Sequence, residues 1–188
     1  KWTLLEGLLF GAIVSSTDAA AVFASLKGNN LHLTGEVETL IELESGSNDP
    51  TAVFLVGAAI ALIETPATSV IGLITAYAVE MAIGLVVGAA IGLGFAYLVR
   101  KVEAGLPHSY VVLSLAAPLA AFGLAGTVDG NGFLAAFVAG VAVAYNTFEH
   151  KEAVNAFIGA LAWLAQVAMF LVLGVLVFPS SLRSERTV

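Results

Sequence analysis

The sequence predicts an all-α polytopic membrane protein with about six transmembrane helices. Three observations lead there. The 188 residues are 59% hydrophobic and only 11% charged, against about 25% charged in a soluble domain. Mean hydropathy is +0.97. Uncharged runs recur at 7–17, 51–63, 81–99, 109–128, 130–148 and 153–182, and a bilayer core of ~30 Å takes about 20 mostly apolar residues in a helix. Backbone amides in lipid must find partners within the protein, so such runs are helices. No segment shows the alternating polarity of a transmembrane barrel strand.

Taken in order, the helices are expected at about 4–26, 37–63, 70–99, 109–127, 132–145 and 154–178. Turn chemistry separates them: Lys27-Gly28-Asn29-Asn30, Glu64-Thr65-Pro66, Gly105-Leu106-Pro107, Asp129-Gly130-Asn131, and Pro179 at the end. The first helix carries Ser15-Ser16-Thr17-Asp18 halfway along. The second carries Glu42, Glu44, Ser45, Ser47, Asn48 and Asp49, with Pro50 behind them. The third exceeds one untilted crossing, which puts Glu80 near an interface, and its Gly84, Gly88 and Gly92 form a small-residue face suited to close helix contact. The whole stretch 1–188 reads as part of a transmembrane domain without a soluble domain, cut at both ends from a longer reading frame.

Lys27, Arg100, Lys101 and Lys151 fall on one side of this topology, and the two internal loops opposite carry no Lys or Arg. By the positive-inside rule the first helix therefore runs inward. Arg183 and Arg186 oppose that orientation. Net charge is −7 and no basic patch interleaves with aromatics, so the partners expected are the lipid bilayer and small ions, not nucleic acid. Cysteine is absent, which removes thiolate metal sites. No cofactor is expected. His32, His108 and His150 fall in loops and read as solvated positions.

The acids in the first two helices carry the chemistry. An acid at the bilayer centre costs roughly 2.5–3.5 kcal/mol on insertion scales, so it is rarely incidental. Asp18 and Asp49 fall near the middle of antiparallel neighbours, which brings both to the midplane. Ser45 and Asp49 are four residues apart and share a helix face. Asp49, the Ser45 hydroxyl and carbonyls of the first helix make a hard-oxygen site, which suits an alkali cation. Polar residues can also simply cross-link membrane helices, and that plainer role is the reading for Ser15, Ser16 and Ser47. Asp18 has an alternative job, capping a helix start where the first helix unwinds. Glu44 needs a positive partner or a proton if buried.

A carboxylate holds either a proton or a cation, but not both well. Desolvation favours the protonated form and an arriving cation favours the charged one. Competition for one carboxylate, combined with alternating access, gives obligatory antiport. Asn48 beside Asp49 leaves one titratable group in the pair, which predicts one proton per cation.

Two stretches, Leu9–Phe23 with its Ser16-Thr17-Asp18-Ala19-Ala20-Ala21 core and Glu44-Ser45-Gly46-Ser47-Asn48-Asp49-Pro50-Thr51-Ala52-Val53-Phe54-Leu55, resemble the NhaP-type branch of the monovalent cation:proton antiporter-1 family. The Gly-Ser-Asn-Asp-Pro wording is similar to its bacterial potassium/proton members. Asn131–Gly140 and Phe170-Leu171-Val172-Leu173-Gly174 are similar to it as well. The resemblance implies an antiporter fold with a discontinuous helix crossing at the midplane, and a secondary transporter, not an enzyme, that exchanges K+, favoured over Na+, for H+ across a bacterial inner membrane. It implies that Asp49 carries the cation and the proton, that Ser45 ligates the cation, and that Thr17 and Asp18 sit where the crossing helix unwinds. Asn48 would fix the crossing helices, and Glu44 would pair with an arginine located after this segment in the family. A homodimer is implied for the full-length protein. The alternatives are a Na+/H+ antiporter of the same fold and a fragment without activity of its own. An intramembrane aspartyl protease would need glycine-flanked aspartate motifs that neither acid has, and a channel would need a filter-like loop.

Overall fold

In a computed structural model, residues 3–28, 31, 33–65, 67–101, 107–148 and 150–176 are described. They form seven helices: α1 Leu4–Val14, α2 Ala19–Gly28, α3 Gly35–Glu64, α4 Val70–Lys101, α5 Pro107–Thr127, α6 Gly132–Tyr145 and α7 Lys151–Leu176. His32, Arg183, Arg186 and Pro179 lie outside the described residues, as do the last two positions expected in the sixth helix.

Among the described residues four helices are long and apolar enough to cross a membrane, namely α3, α4, α5 and α7, and α1 with α2, bent by 51° at the break, passes the same test as a pair. That makes up to five spans where about six were expected. The difference is α6. Its boundaries match the expectation, but 14 residues at 1.5 Å each reach only about 21 Å, short of the hydrocarbon thickness. Asparagines stop it at both ends: the Asn131 side chain accepts from the Leu134 N–H at 2.9 Å, and Asn146 is its C-cap.

α4, α5 and α6 pack most closely. The Gly84, Gly88 and Gly92 face of α4 receives α6 backbone directly. A Cβ on Gly84 would lie 2.6 Å from the Asn131 carbonyl oxygen, and one on Gly88 would lie 2.8 Å from the Ala135 Cα. Small residues permit that approach, and close van der Waals packing drives helix association where lipid removes the hydrophobic drive. The opposing surface is equally small, with Ala121, Ala125, Ala135 and Ala139 wholly buried. The turn from α5 to α6 places Asp129 at φ 54°, a left-handed conformation that a short polar side chain tolerates. It is tied to α4 by the Asn131 N–H, which donates to the Glu80 carbonyl at 2.9 Å. Glu80 itself is half-buried.

α1 and α2 lie against α3. Leu, Val, Ile and Phe side chains stay exposed on every spanning helix, as expected of faces turned to hydrocarbon.

Candidate cation site at a broken helix

Four consecutive small polar residues, Ser15 to Asp18, separate α1 from α2. Such side chains compete with the helix for backbone groups. The Ser15 hydroxyl turns back to the Ala12 carbonyl at 2.8 Å. Asp18 restarts the helix by accepting the Ala21 N–H at 3.1 Å, the N-cap arrangement that satisfies an otherwise orphaned donor. The break leaves the carbonyl-rich, partly negative end of α1 facing the partly positive end of α2. Such interrupted helices supply ion ligands from backbone at membrane depth.

α3 closes the break with side chains spaced along one face. The Ser45 hydroxyl, buried, donates to the Thr17 carbonyl at 2.7 Å. The Asn48 amide donates to Thr17 Oγ1 at 2.8 Å and to Glu44 Oε1 at 2.6 Å. Thr17 Oγ1 in turn donates to Glu44 Oε2 at 2.7 Å. The three side chains form a closed ring in which the hydroxyl both gives and receives. Asn48 Oδ1 is buried and takes no hydrogen bond among the described residues. The Ser16 hydroxyl donates to Asp49 Oδ1. Among the described residues no other hydrogen bond reaches the Asp49 carboxylate, and its second oxygen is unengaged there.

Pro50 follows at once, less than 2% exposed. It has no N–H for the carbonyl four residues back, so Gly46 cannot receive the usual intrahelical bond. Gly46 packs instead against the Phe137 ring of α6, where a Cβ would collide. Directly after Pro50, the Thr51 hydroxyl bonds the Tyr77 hydroxyl at 2.7 Å, and the Tyr77 and Phe54 rings lie 4.3 Å apart. These contacts fix α3 relative to α4 and α6.

A cavity of about 720 Å³ opens beside this assembly, lined by Thr17, Asp18, Ser45 and Asp49 with Ser16 among them. Four of the six residues expected at the site therefore share one cavity wall. The other two, Asn48 and Glu44, bond to Thr17. Asp18 and Asp49 face the same space without bonding to each other.

The expected cross-linking serines divide differently. Ser16 bridges to α3, but Ser15 bonds its own helix and Ser47 bonds the Leu43 carbonyl at 2.9 Å, because both hydroxyls turn back along their own backbone. Glu42 is exposed on α3. His108, expected in a loop, lies instead in the first turn of α5, because Pro107 opens that helix; His150 stays in the turn before α7, 5.8 Å from the Tyr110 ring, and both are exposed. Sequence reasoning missed Gln166 of α7, which also lines the cavity. Its signal was present, since it interrupts a long apolar run.

A family model described as "Sodium/hydrogen exchanger, transmembrane" matches residues 1–187. The chain is 35% identical over 181 residues to a protein of Alkalimonas amylolytica named K(+)/H(+) antiporter NhaP, covering 95% of this chain and 31% of that protein. It is 36% identical over 184 residues to one of Shewanella oneidensis named K(+)/H(+) antiporter NhaP2, with the same coverage of 95% and 31%. The chain thus spans about a third of the length of these curated relatives. No solved structure matches the chain.

Proposed function

The chain belongs to the transmembrane sodium/hydrogen exchanger family, and we propose that residues 1–188 form the site-bearing part of a membrane domain that exchanges a monovalent cation for a proton. The supporting observation is the meeting of Asp49, Asp18, Ser45 and Thr17 on one open cavity at a broken helix. In this reading Asp49 carries either the proton or the cation. Its unengaged oxygen meets the ion, and Ser16 orients the carboxylate. Ser45 and the α1 carbonyls add neutral hard oxygens, as an alkali cation prefers. Asp18 caps α2 and adds negative potential. Asn48 and Glu44 hold Thr17, and with it the break, against α3.

Arrival of the cation displaces the proton because the site holds one charge well and two poorly. Exposure of the site to each side in turn then makes exchange obligatory. K+ is the favoured cation, supported by the names of the two relatives. Na+ is the second reading, supported by the description of the family. The full-length protein would be a transporter, not an enzyme, needing no cofactor, and would act as a homodimer in the bacterial inner membrane.

The test uses the full-length chain carrying this segment, in liposomes with a trapped pH dye and an imposed pH gradient. Addition of K+, Na+ or Li+ should move protons in the wild type and not in Asp49→Asn, with the most effective ion naming the substrate. An undiminished response in Asp49→Asn would remove Asp49 from the carrier role.

A further inference from the structure

We propose that Gln166 of α7 is a specificity-determining residue, whose side-chain carbonyl supplies a neutral oxygen to the cation from the wall of the cavity formed by α7. The inference rests on the exchange reading and adds a ligand from a helix that contributes no other polar group there.

Three observations carry it. From Ala156 to the end of α7, Gln166 is the only side chain with a hydrogen-bonding carbonyl, in a run otherwise apolar apart from the Trp163 indole. An amide moved from water to hydrocarbon without a partner costs roughly 4–8 kcal/mol on the cyclohexane scale, so a polar environment is its natural position. Gln166 is also half-buried, while every other described residue from 159 to 176 is exposed. Its surroundings are thus not the ones its helix otherwise meets. Finally, it lines the same cavity as Asp49, next to Ala165 and Met169. Those neighbours offer no hard oxygen, and the remaining polar lining comes from α3 and the α1–α2 break.

An alkali cation leaving water needs oxygens around it, not on one side. Asp49, Ser45 and the broken helix supply one side. A Gln carbonyl on α7 supplies an oxygen from a different helix without adding charge, so it can discriminate between ions by distance while the proton count stays with Asp49. Gln166 is therefore expected to influence which cation binds and how tightly, and to leave the number of protons exchanged per cation alone.

The experiment compares Gln166→Leu, Gln166→Asn and Asp49→Asn in the full-length chain in liposomes, with apparent KM for K+ and Na+ measured separately. Leucine is favourable at the centre of a membrane helix, so the first variant does not impair insertion. The expected result is a rise of about tenfold in KM for the preferred ion, corresponding to ~1.4 kcal/mol. The K+ to Na+ ratio of KM values changes with it, at an unchanged number of protons exchanged per cation, and Gln166→Asn lies between. Unchanged KM values and ratio in Gln166→Leu, or a lower maximal rate alone, overturn this proposal, and an inactive Asp49→Asn beside them leaves the exchange reading standing. An active Asp49→Asn overturns the exchange reading itself. A second measurement needs no transport: in a cysteine-free background, Gln166→Cys should react with a water-soluble maleimide, more slowly in saturating K+, while Leu171→Cys should not. Failure of Gln166→Cys to label, or labelling indifferent to every cation, also overturns the proposal.

Discussion

Replacing Asn48 by Ala removes two hydrogen bonds, at 2.8 Å to Thr17 Oγ1 and 2.6 Å to Glu44 Oε1. Polar pairs between membrane helices average ~0.6 kcal/mol and reach ~1.7, so the two bonds together are worth about 1–3 kcal/mol. Thr17→Val removes the acceptor of the first bond and the donor to Glu44 Oε2 at 2.7 Å. Because both side chains belong to the ring Thr17–Asn48–Glu44 and share one of its bonds, these two losses overlap. The double variant should then be less destabilised than the sum of the singles by about 0.6–1.7 kcal/mol. The assay is reversible denaturant unfolding, in mixed micelles, of the full-length wild type, both single variants and the double variant. Additivity within ~0.3 kcal/mol would refute the ring, and with it the claim that Asn48 ties the broken helix to α3.

Further expectations follow from packing and capping. Gly88→Val should destabilise by about 1–3 kcal/mol, the range for overpacking, since the added carbon meets α6 backbone. Gly94→Ala, with nothing within 4 Å, should be neutral or stabilising by up to ~1 kcal/mol; thermal melting of both variants checks the contrast. Asp18→Ala should cost about 0.5–2 kcal/mol through loss of the α2 cap, whereas Asp18→Asn keeps the cap. An Asp18→Asn protein that is stable but weaker in cation affinity, read from the KM in liposomes, separates the electrostatic role of Asp18 from its capping role.

Much of this was legible in the sequence for definite reasons. Ser15 to Asp18 announce a break because four small polar residues cannot all be accommodated inside an apolar span, and the structure bends the chain there by 51°. Gly84, Gly88 and Gly92 announce a seam because their spacing repeats on one face, and α6 fills it. The site face of α3 followed from the four-residue spacing of Ser45 and Asp49. Other features depend on which helix turns toward which. Nothing in the spacing of Tyr77, Phe137 or Gln166 states that they meet Thr51, Gly46 or the Asp49 cavity. The hydroxyls of Ser15 and Ser47 had two possible acceptors, their own helix or a neighbour, and composition does not choose between them. The count of spans erred at α6, where apolar composition was mistaken for sufficient length.

In the proposed exchange one carboxylate, Asp49, holds a proton or a cation in turn. Its most direct test is proton release from the purified full-length chain in weakly buffered detergent solution, followed with a pH dye as K+ and then Na+ are added. The wild type should release about one proton per site on binding its cation, and Asp49→Asn should release none. Equal release from Asp49→Asn would contradict the claim.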